Sequence, residues 1–260
     1  HVGELEEERG NAEVSAKHYR ELLNIFPMDA EGLEALDRLV SAAEGWDELV
    51  GVLERRIEVA EDDAERVDLM VRVAAVHLGQ RGDAETASEL VFASFELDGQ
   101  DPLVVEQLTQ LEGGDDVELA EQAAERLERV FRDGEEWDKL AELLGRRRRR
   151  VKDPERAEAF QLQLAELAAE RLGDYGAAYE ALESAFMGRP TDEELQARLA
   201  RAAEKGSRQS DEAKAYARVL ERGGLADEGV TRIAMRSAQL LIDGDGEAEA
   251  INARLSEVLC

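Results

Sequence analysis

The chain has few of the residues that interrupt or cross-link a fold. Its 260 residues include four prolines, 5% aromatic residues and a single cysteine, Cys260. One cysteine excludes an internal disulfide, as is typical of a reducing compartment, and this favours a cytoplasmic protein. Because the chain begins at His1 rather than at methionine, an exported or periplasmic protein whose leader has been removed is the alternative.

Long apolar runs are also lacking. No stretch approaches the roughly 20 residues that span a bilayer, so we expect no membrane insertion. The three histidines are far apart in the sequence and stand at no zinc-ligand spacing from cysteine. The turn at 243–246 begins like a calcium loop, but Ala248 and Arg254 replace its expected glycine and glutamate, so a plain turn is favoured.

Enzyme motifs are missing as well. The sequence contains no nucleophile elbow, no phosphate-binding loop and no dinucleotide-binding glycine pattern. Its 61 acidic residues are spread over polar helix faces, so no carboxylate pair stands out for acid–base catalysis. We therefore expect a protein that is not an enzyme and has no cofactor.

Negative charge is what the chain has in excess. The formal net charge is −29, and a surface of that sign repels nucleic-acid phosphates. The charge favours a partner with a basic segment, or simply high solubility. We expect the binding surface to be acidic and its affinity to fall as salt rises.

Apolar residues recur at the three- and four-residue spacing of helices from end to end, between short turns rich in glycine, aspartate and proline. About fourteen helices and no strands are predicted. Short connections force neighbouring helices to lie antiparallel. The fold class is therefore all-α, built from about seven antiparallel helix pairs.

An internal duplication with an offset of 91 residues organises this pattern. Trp46 and Trp137 are the only tryptophans, and the same offset relates Gly82-Asp83 to Gly173-Asp174. We expect the two tryptophans to occupy equivalent, largely buried places. The spacing from Pro27 to Trp46 is 19 residues, whereas Pro102 to Trp137 is 35, which predicts one additional helix in the second copy.

The second half of the Ala157–Pro190 segment carries a family resemblance. Its Gly-Asp-Tyr turn at 173–175 is followed by Ala178, Leu182, Ala185-Phe186 and Pro190, at the intervals of a tetratricopeptide repeat. The segments around Gly82 and Gly10 match less fully. The chain resembles a degenerate bacterial array of such repeats. The resemblance implies a right-handed solenoid that binds partners in an inner groove. The approximate units are 1–27 (partial), 28–61, 62–99, 100–151 (irregular), 152–190, 191–222 and 223–260.

The resemblance also indicates which residues line the groove. On the best-matching unit these are Gln163, Leu167 and Arg171, and Arg72 and Arg38 are the candidates on earlier units. The favoured function is a scaffold that binds a protein or peptide through this groove. The alternative is a structural subunit that stacks through its end helices.

A run of five arginines, Arg146–Arg150, closes the second tryptophan helix. Successive residues on a helix point in different directions, so the run cannot form one flat face. We expect the arginines to pair with acidic neighbours and to cover apolar surface with their stems. The alternative is an anion contact made by Arg146, Arg147, Arg149 and Arg150.

The N-terminal end carries more apolar surface than one neighbouring helix covers. Val14, Tyr19 and Phe26 belong to this surface, and solenoid ends need a polar outer face. Three coverings are possible: residues 1–9 folded back, an upstream segment, or a second copy of the chain. Self-association through this end is therefore one prediction.

Overall fold

The computed structural model describes residues 2–224 and 227–243, and every regular element in these ranges is helical. The helices of the first half are α1 (Val2–Glu8), α2 (Ala12–Ile25), α3 (Ala30–Ala42), α4 (Trp46–Val59), α5 (Asp63–Val76), α6 (Ala84–Leu97), α7 (Pro102–Glu112) and α8 (Val117–Asp133). Those of the second half are α9 (Trp137–Arg150), α10 (Pro154–Leu167), α11 (Tyr175–Gly188), α12 (Glu193–Lys205), α13 (Gln209–Arg222) and α14 (Asp227–Asp243). The all-α prediction is confirmed.

The chain forms two compact units that meet in sequence at Gly134 and Glu135. Within each unit, every helix packs against the next one along the chain. In the first unit a continuous apolar core runs from Ala16 on α2 to Val76 on α5. In the second unit the core runs from Ala165 on α10 to Leu240 on α14. The grouping of all seven predicted units into one solenoid stays a prediction.

The helix bounds reproduce the 91-residue duplication. Helices α4, α5 and α6 begin and end 91 residues before α9, α10 and α11, respectively. One helix, α3, separates α2 from α4, whereas two helices, α7 and α8, separate α6 from α9. The additional helix predicted for the second copy is therefore confirmed.

In each copy of the duplication, the first helix of a pair ends in the same kind of corner. The sequence pattern predicts one continuous helix up to each glycine, but a π-helical turn replaces the last residues, at His77–Arg81 and Ala168–Leu172. The glycines that follow, Gly82 and Gly173, have φ of 64° and 68°, a left-handed conformation that a side chain would strain. The backbone N–H of the next aspartate then bonds across the turn, to the carbonyl of His77 or Ala168.

Aspartate side chains start most of the other helices. In eight described helices an N-cap aspartate accepts a hydrogen bond from a backbone N–H of the first turn, as Asp101 does from Leu103 at 2.8 Å. Helices α4, α9 and α13 lack such a bond, and each follows a residue with positive φ: Glu44, Glu135 or Ser207. The chain therefore turns by an aspartate cap, by a left-handed residue or, at Gly82-Asp83 and Gly173-Asp174, by both.

The tryptophans occupy equivalent places at the first position of α4 and α9. Both indoles are partly buried and keep an exposed edge. Trp46 packs against the core of the first unit. The ring of Trp137 lies under the guanidinium of Arg171, whose central carbon is 4.7 Å from the ring centroid.

The N-terminal residues fold back as α1, the first of the three coverings considered for this end. Gly3 lies against the ring of Tyr19, so close that an added Cβ would be 2.8 Å from it. The Ser15 hydroxyl donates to the Gly3 carbonyl at 2.8 Å. Val14 and Phe26 nevertheless remain exposed, and self-association through this end stays a prediction.

A buried ion cluster joins α3, α4 and α5 in the first unit. The Asp37 carboxylate is 4% exposed and accepts two hydrogen bonds from Arg72, at 2.8 and 2.6 Å. Arg56 and the Ser41 hydroxyl also donate to it. Burial raises the pKa of Asp37, but the bonds and charge of Arg72, together with those of Arg56 and Ser41, outweigh burial and leave the pKa below its usual value.

We expect Asp37→Asn to lower the free energy of unfolding by about 3 kcal/mol at neutral pH, because it leaves two arginines without their buried partner. Urea unfolding measures this loss. Since the pKa is depressed in the folded state, the stabilisation is present above the ordinary aspartate pKa and is lost as pH falls through the folded value. The gap between the two proteins should therefore narrow in acid.

The matched control is Asp47→Asn, because Asp47 pairs with Arg81 at 2.7 Å but is 97% exposed. It should change stability by less than about 0.5 kcal/mol. Equal losses in both variants would contradict a special role for the buried cluster.

Candidate functional site

A cavity of about 570 Å³ lies in the second unit between α10 with its π-helical turn, α11 and α12. We call it the α10–α12 groove. Its apolar lining consists of Ala165 and Ala169 on one side, Ala202 on the other, and Leu182 of α11. Small side chains along facing helices leave room for another backbone to approach closely.

Tyr175 and six charged residues form the remainder of the lining. Glu166 and Glu170 follow the two alanines of the α10 side by one position each. Helix α12 carries Glu194 near its start and then Arg198, Arg201 and Lys205. The three cations are spaced three and four residues apart, so they lie along one face of the helix. The groove thus has a carboxylate row on the α10 side and a cationic row on α12.

None of these six charged groups forms an ion pair with another described residue. The Arg198 guanidinium donates to the Leu162 carbonyl at 3.2 Å, and the Lys205 ammonium donates to the Tyr175 hydroxyl at 3.0 Å. Arg201 makes no polar contact within residues 2–224 and 227–243. The rows therefore face the open groove without neutralising each other.

Arginines elsewhere in the same unit behave differently. Arg189 binds Glu158 at 2.7 Å, Arg236 binds Glu212 at 2.9 Å, and Arg218 binds Glu183. In a chain with 61 acidic residues a carboxylate partner is easily found. By contrast, the three cations of the row on α12 have no carboxylate partner among the described residues.

A second cavity, of about 750 Å³, lies on the other side of α12, against α13 and α14, and Arg201 lines both cavities. Its wall includes the pair formed by Glu212, which is buried, and Arg236. Burial raises the pKa of Glu212, although the hydrogen bond from Arg236 acts to lower it. Arg201 thus lies at the boundary between the two cavities.

The groove residues expected from the family pattern do not line this cavity. Gln163 is exposed on α10, three residues before Glu166, and does not line the cavity. Leu167 is 6% exposed, so its assignment as a partner-binding residue is wrong: the side chain is enclosed by packing. Arg171 is exposed and stacks on Trp137.

The two candidates on earlier helices are engaged within the protein. Arg72 forms the two-pronged bond to Asp37 described above, which makes it part of the ion cluster rather than an open contact. Arg38 is exposed and reaches Glu7 at 3.4 Å and Glu34 at 3.8 Å. The structure does not bring either arginine into the α10–α12 groove.

The arginines of the run at 146–150 differ in burial. Arg147 is buried, and its guanidinium carbon lies 4.6 Å from the centroid of the Phe160 ring, so its assignment as an anion contact is wrong. Arg146 and Arg150 are half-buried and have partners within the protein. Arg149 is exposed. This division fits the expectation that the run covers apolar surface with its stems.

Metal and membrane sites were also expected to be absent. In the described ranges no group of three or more His, Cys, Asp or Glu side chains could hold a metal ion. None of the described helices is both long and apolar enough to cross a bilayer. The calcium-like turn, the final helix predicted for 247–259 and Cys260 lie outside the described residues.

The family's groove positions lie on α10, so the resemblance does not point to the cationic row on α12. One sequence signal does: Arg198, Arg201 and Lys205 recur at three- and four-residue spacing and so share one helical face. Their lack of ion-pair partners could be seen only in the structure.

We expect Arg147→Ala to lower the free energy of unfolding by about 2 kcal/mol, because it removes buried stem packing and the contact with the Phe160 ring. Arg149→Ala, two positions further on the same helix, removes the same side chain from an exposed place. It should cost less than about 0.5 kcal/mol. Chemical unfolding of both variants makes the comparison, and equal costs would show that burial does not distinguish the two arginines.

Comparisons with known proteins give structural matches only. No family model matches the sequence, and no curated protein does. A tetratricopeptide repeat protein from Parabacteroides merdae is 12% identical, with a TM-score of 0.37 over 100% of this chain and 96% of that one. The tetratricopeptide domain of P58(IPK) is 12% identical, with a TM-score of 0.35 over 94% of this chain and 65% of that one. The yeast Sti1 TPR2AB domain, in a complex with pHSP90, is 14% identical, with a TM-score of 0.34 over 99% and 96%. The resemblance of this chain to tetratricopeptide repeats therefore rests on its own 91-residue duplication and glycine corners.

Proposed function

We propose that this protein is a non-enzymatic scaffold that binds a segment of a partner protein, or a peptide, in the α10–α12 groove. The cytoplasm is the proposed compartment, on the basis of cysteine content alone. The observation that carries the proposal is the groove itself: a floor of alanines flanked by six charged groups that form no ion pair with the residues the structure describes. Such groups are available to a partner at little cost, since no internal ion pair must break first.

The lining also bears on the kind of partner. Three carboxylates and three cations face the cavity, so this groove has no net charge, although an acidic surface was expected. A basic segment can bind on the side of Glu166 and Glu170. It would be repelled by Arg198, Arg201 and Lys205, so a wholly basic partner fits only part of the groove.

A structural subunit is the second candidate, and exposed apolar residues at the N-terminal end favour it. Val2 is 58% exposed and Leu5 is 50% exposed on α1, and Phe26 is 59% exposed at the end of α2. Contact between copies or with another chain would cover these side chains. Light scattering across a concentration series distinguishes a stacking subunit from a monomeric scaffold.

The groove proposal is tested by filling the cavity. Ala169 lines the floor and is only partly buried, so Ala169→Trp should occupy the space that a partner needs without opening the core. Peptides selected from a random library on the full chain should bind Ala169→Trp at least about tenfold more weakly, since tenfold corresponds to the loss of about 1.4 kcal/mol. Titration calorimetry gives the affinities, and circular dichroism checks that the variant is folded.

Ala159→Trp is the control, since Ala159 is exposed on the same helix and lies away from the cavity. Selected peptides should bind it as they bind the unchanged protein. If no peptide is enriched, or if the peptides bind both variants equally, the groove is not the binding site.

A further inference from the structure

We propose that the occupant of the α10–α12 groove is a helix with oppositely charged sides, whose carboxylates face α12 and whose cations face α10. This inference rests on the proposed function, because it specifies the chemistry of the partner for that same groove. Its basis is the unequal charge of the two walls: Glu166 and Glu170 line one wall, and three consecutive cations, Arg198, Arg201 and Lys205, follow Glu194 along the other.

The spacing of the cationic row favours a helical occupant. Arg198 and Arg201 are separated by about 4.5 Å along the axis of α12, and Arg201 and Lys205 by about 6 Å. A neighbouring helix presents side chains at these same intervals when they are three and four residues apart. Side chains on one face of an extended strand instead recur every 6.6–6.8 Å or so, which does not match the shorter interval.

The opposite wall repeats the argument with reversed sign. Glu166 lies at the end of α10 and Glu170 in the π-helical turn that follows, and each is next in sequence to an alanine of the floor. The alanines let a helix approach closely enough for its two flanks to reach both rows. A helix with a carboxylate row and a cation row on opposite flanks then pairs with both walls at once.

The contacts that each cation already makes indicate which one an occupant would bind most strongly. Arg198 is held by a backbone carbonyl and Lys205 by a tyrosine hydroxyl, so both side chains have a fixed direction. Arg201 is exposed, stands between them and has no polar contact among the described residues. A carboxylate on the occupant would therefore gain its strongest new contact at Arg201, as part of a row already oriented by its neighbours.

Two synthetic alanine-based helical peptides of identical composition test the proposal on the full chain. In the patterned peptide, glutamates form one flank and lysines the opposite flank. In the interleaved peptide the same residues are mixed around the helix. We expect the patterned peptide to bind about fivefold or more tightly, with the difference shrinking at high salt. Fluorescence anisotropy gives the dissociation constants.

Charge reversal assigns the two walls. Arg201→Glu and Glu170→Lys should each weaken the patterned peptide by about fivefold, and replacing one glutamate of its acidic flank with lysine should restore binding to Arg201→Glu. Arg149→Glu is the control, because Arg149 is exposed on α9 and does not line the groove. It should leave the affinity unchanged.

Three results would overturn the inference: equal binding of the two peptides, unchanged or tighter binding by Arg201→Glu, or an equal effect of Arg149→Glu. If library-selected peptides still bind and remain sensitive to Ala169→Trp, the groove function stands and only the charge pattern of the occupant is wrong. If neither the designed nor the selected peptides bind, the proposed function fails as well.

Discussion

Each described helix buries its apolar face mainly against the helices next to it in sequence. The core of each unit is accordingly a series of neighbour contacts, from α2 to α5 in one and from α10 to α14 in the other. Stability in such an arrangement is a sum over adjacent interfaces rather than the property of one central core. The polar faces are left free for ion pairs or, where ion pairs are lacking, for a partner.

The distribution of charge divides the second unit into two kinds of surface. On most of it, arginines and carboxylates neutralise each other within the protein, as Arg189 does with Glu158. In the α10–α12 groove, the cations lie on α12 and two of the three carboxylates lie on the opposite wall, and these charged groups form no ion pairs among the described residues. Exposed ion pairs contribute little to stability, so pairing on the remaining surface mainly removes competing sites for a charged partner. The groove is then the place where a partner's charges find oriented, unoccupied counterparts.

Sequence alone predicted the elements well and the site poorly, for physical reasons. Helix periodicity, aspartate caps and the repeated tryptophan are local signals, so the bounds of α4 and α9 could be read directly. The π-helical turns could not, because their wider backbone depends on how Gly82 and Gly173 close the corner. The side of α10 that faces the cavity depends on the rotation of the helix against α11, which spacing does not reveal. Leu167 was therefore assigned to the surface, while Glu166 and Arg201 were overlooked.

The additional helix changes which helices, counted along the chain, are the first members of pairs. The glycine corner after a π-helical turn joins α5 to α6 in the first copy and α10 to α11 in the second. The first helix of the pair is therefore odd-numbered in the first copy and even-numbered in the second. The repeating block runs from α4 to α8 and so contains five helices, although the motif within it is a pair of helices. Whether a helix acts as the first or second member of its pair is decided by the corner that follows it, not by its ordinal number. Helix pairing in this chain is therefore set by local sequence. A helix can be inserted between two pairs, and the two helices of each later pair still pack against each other.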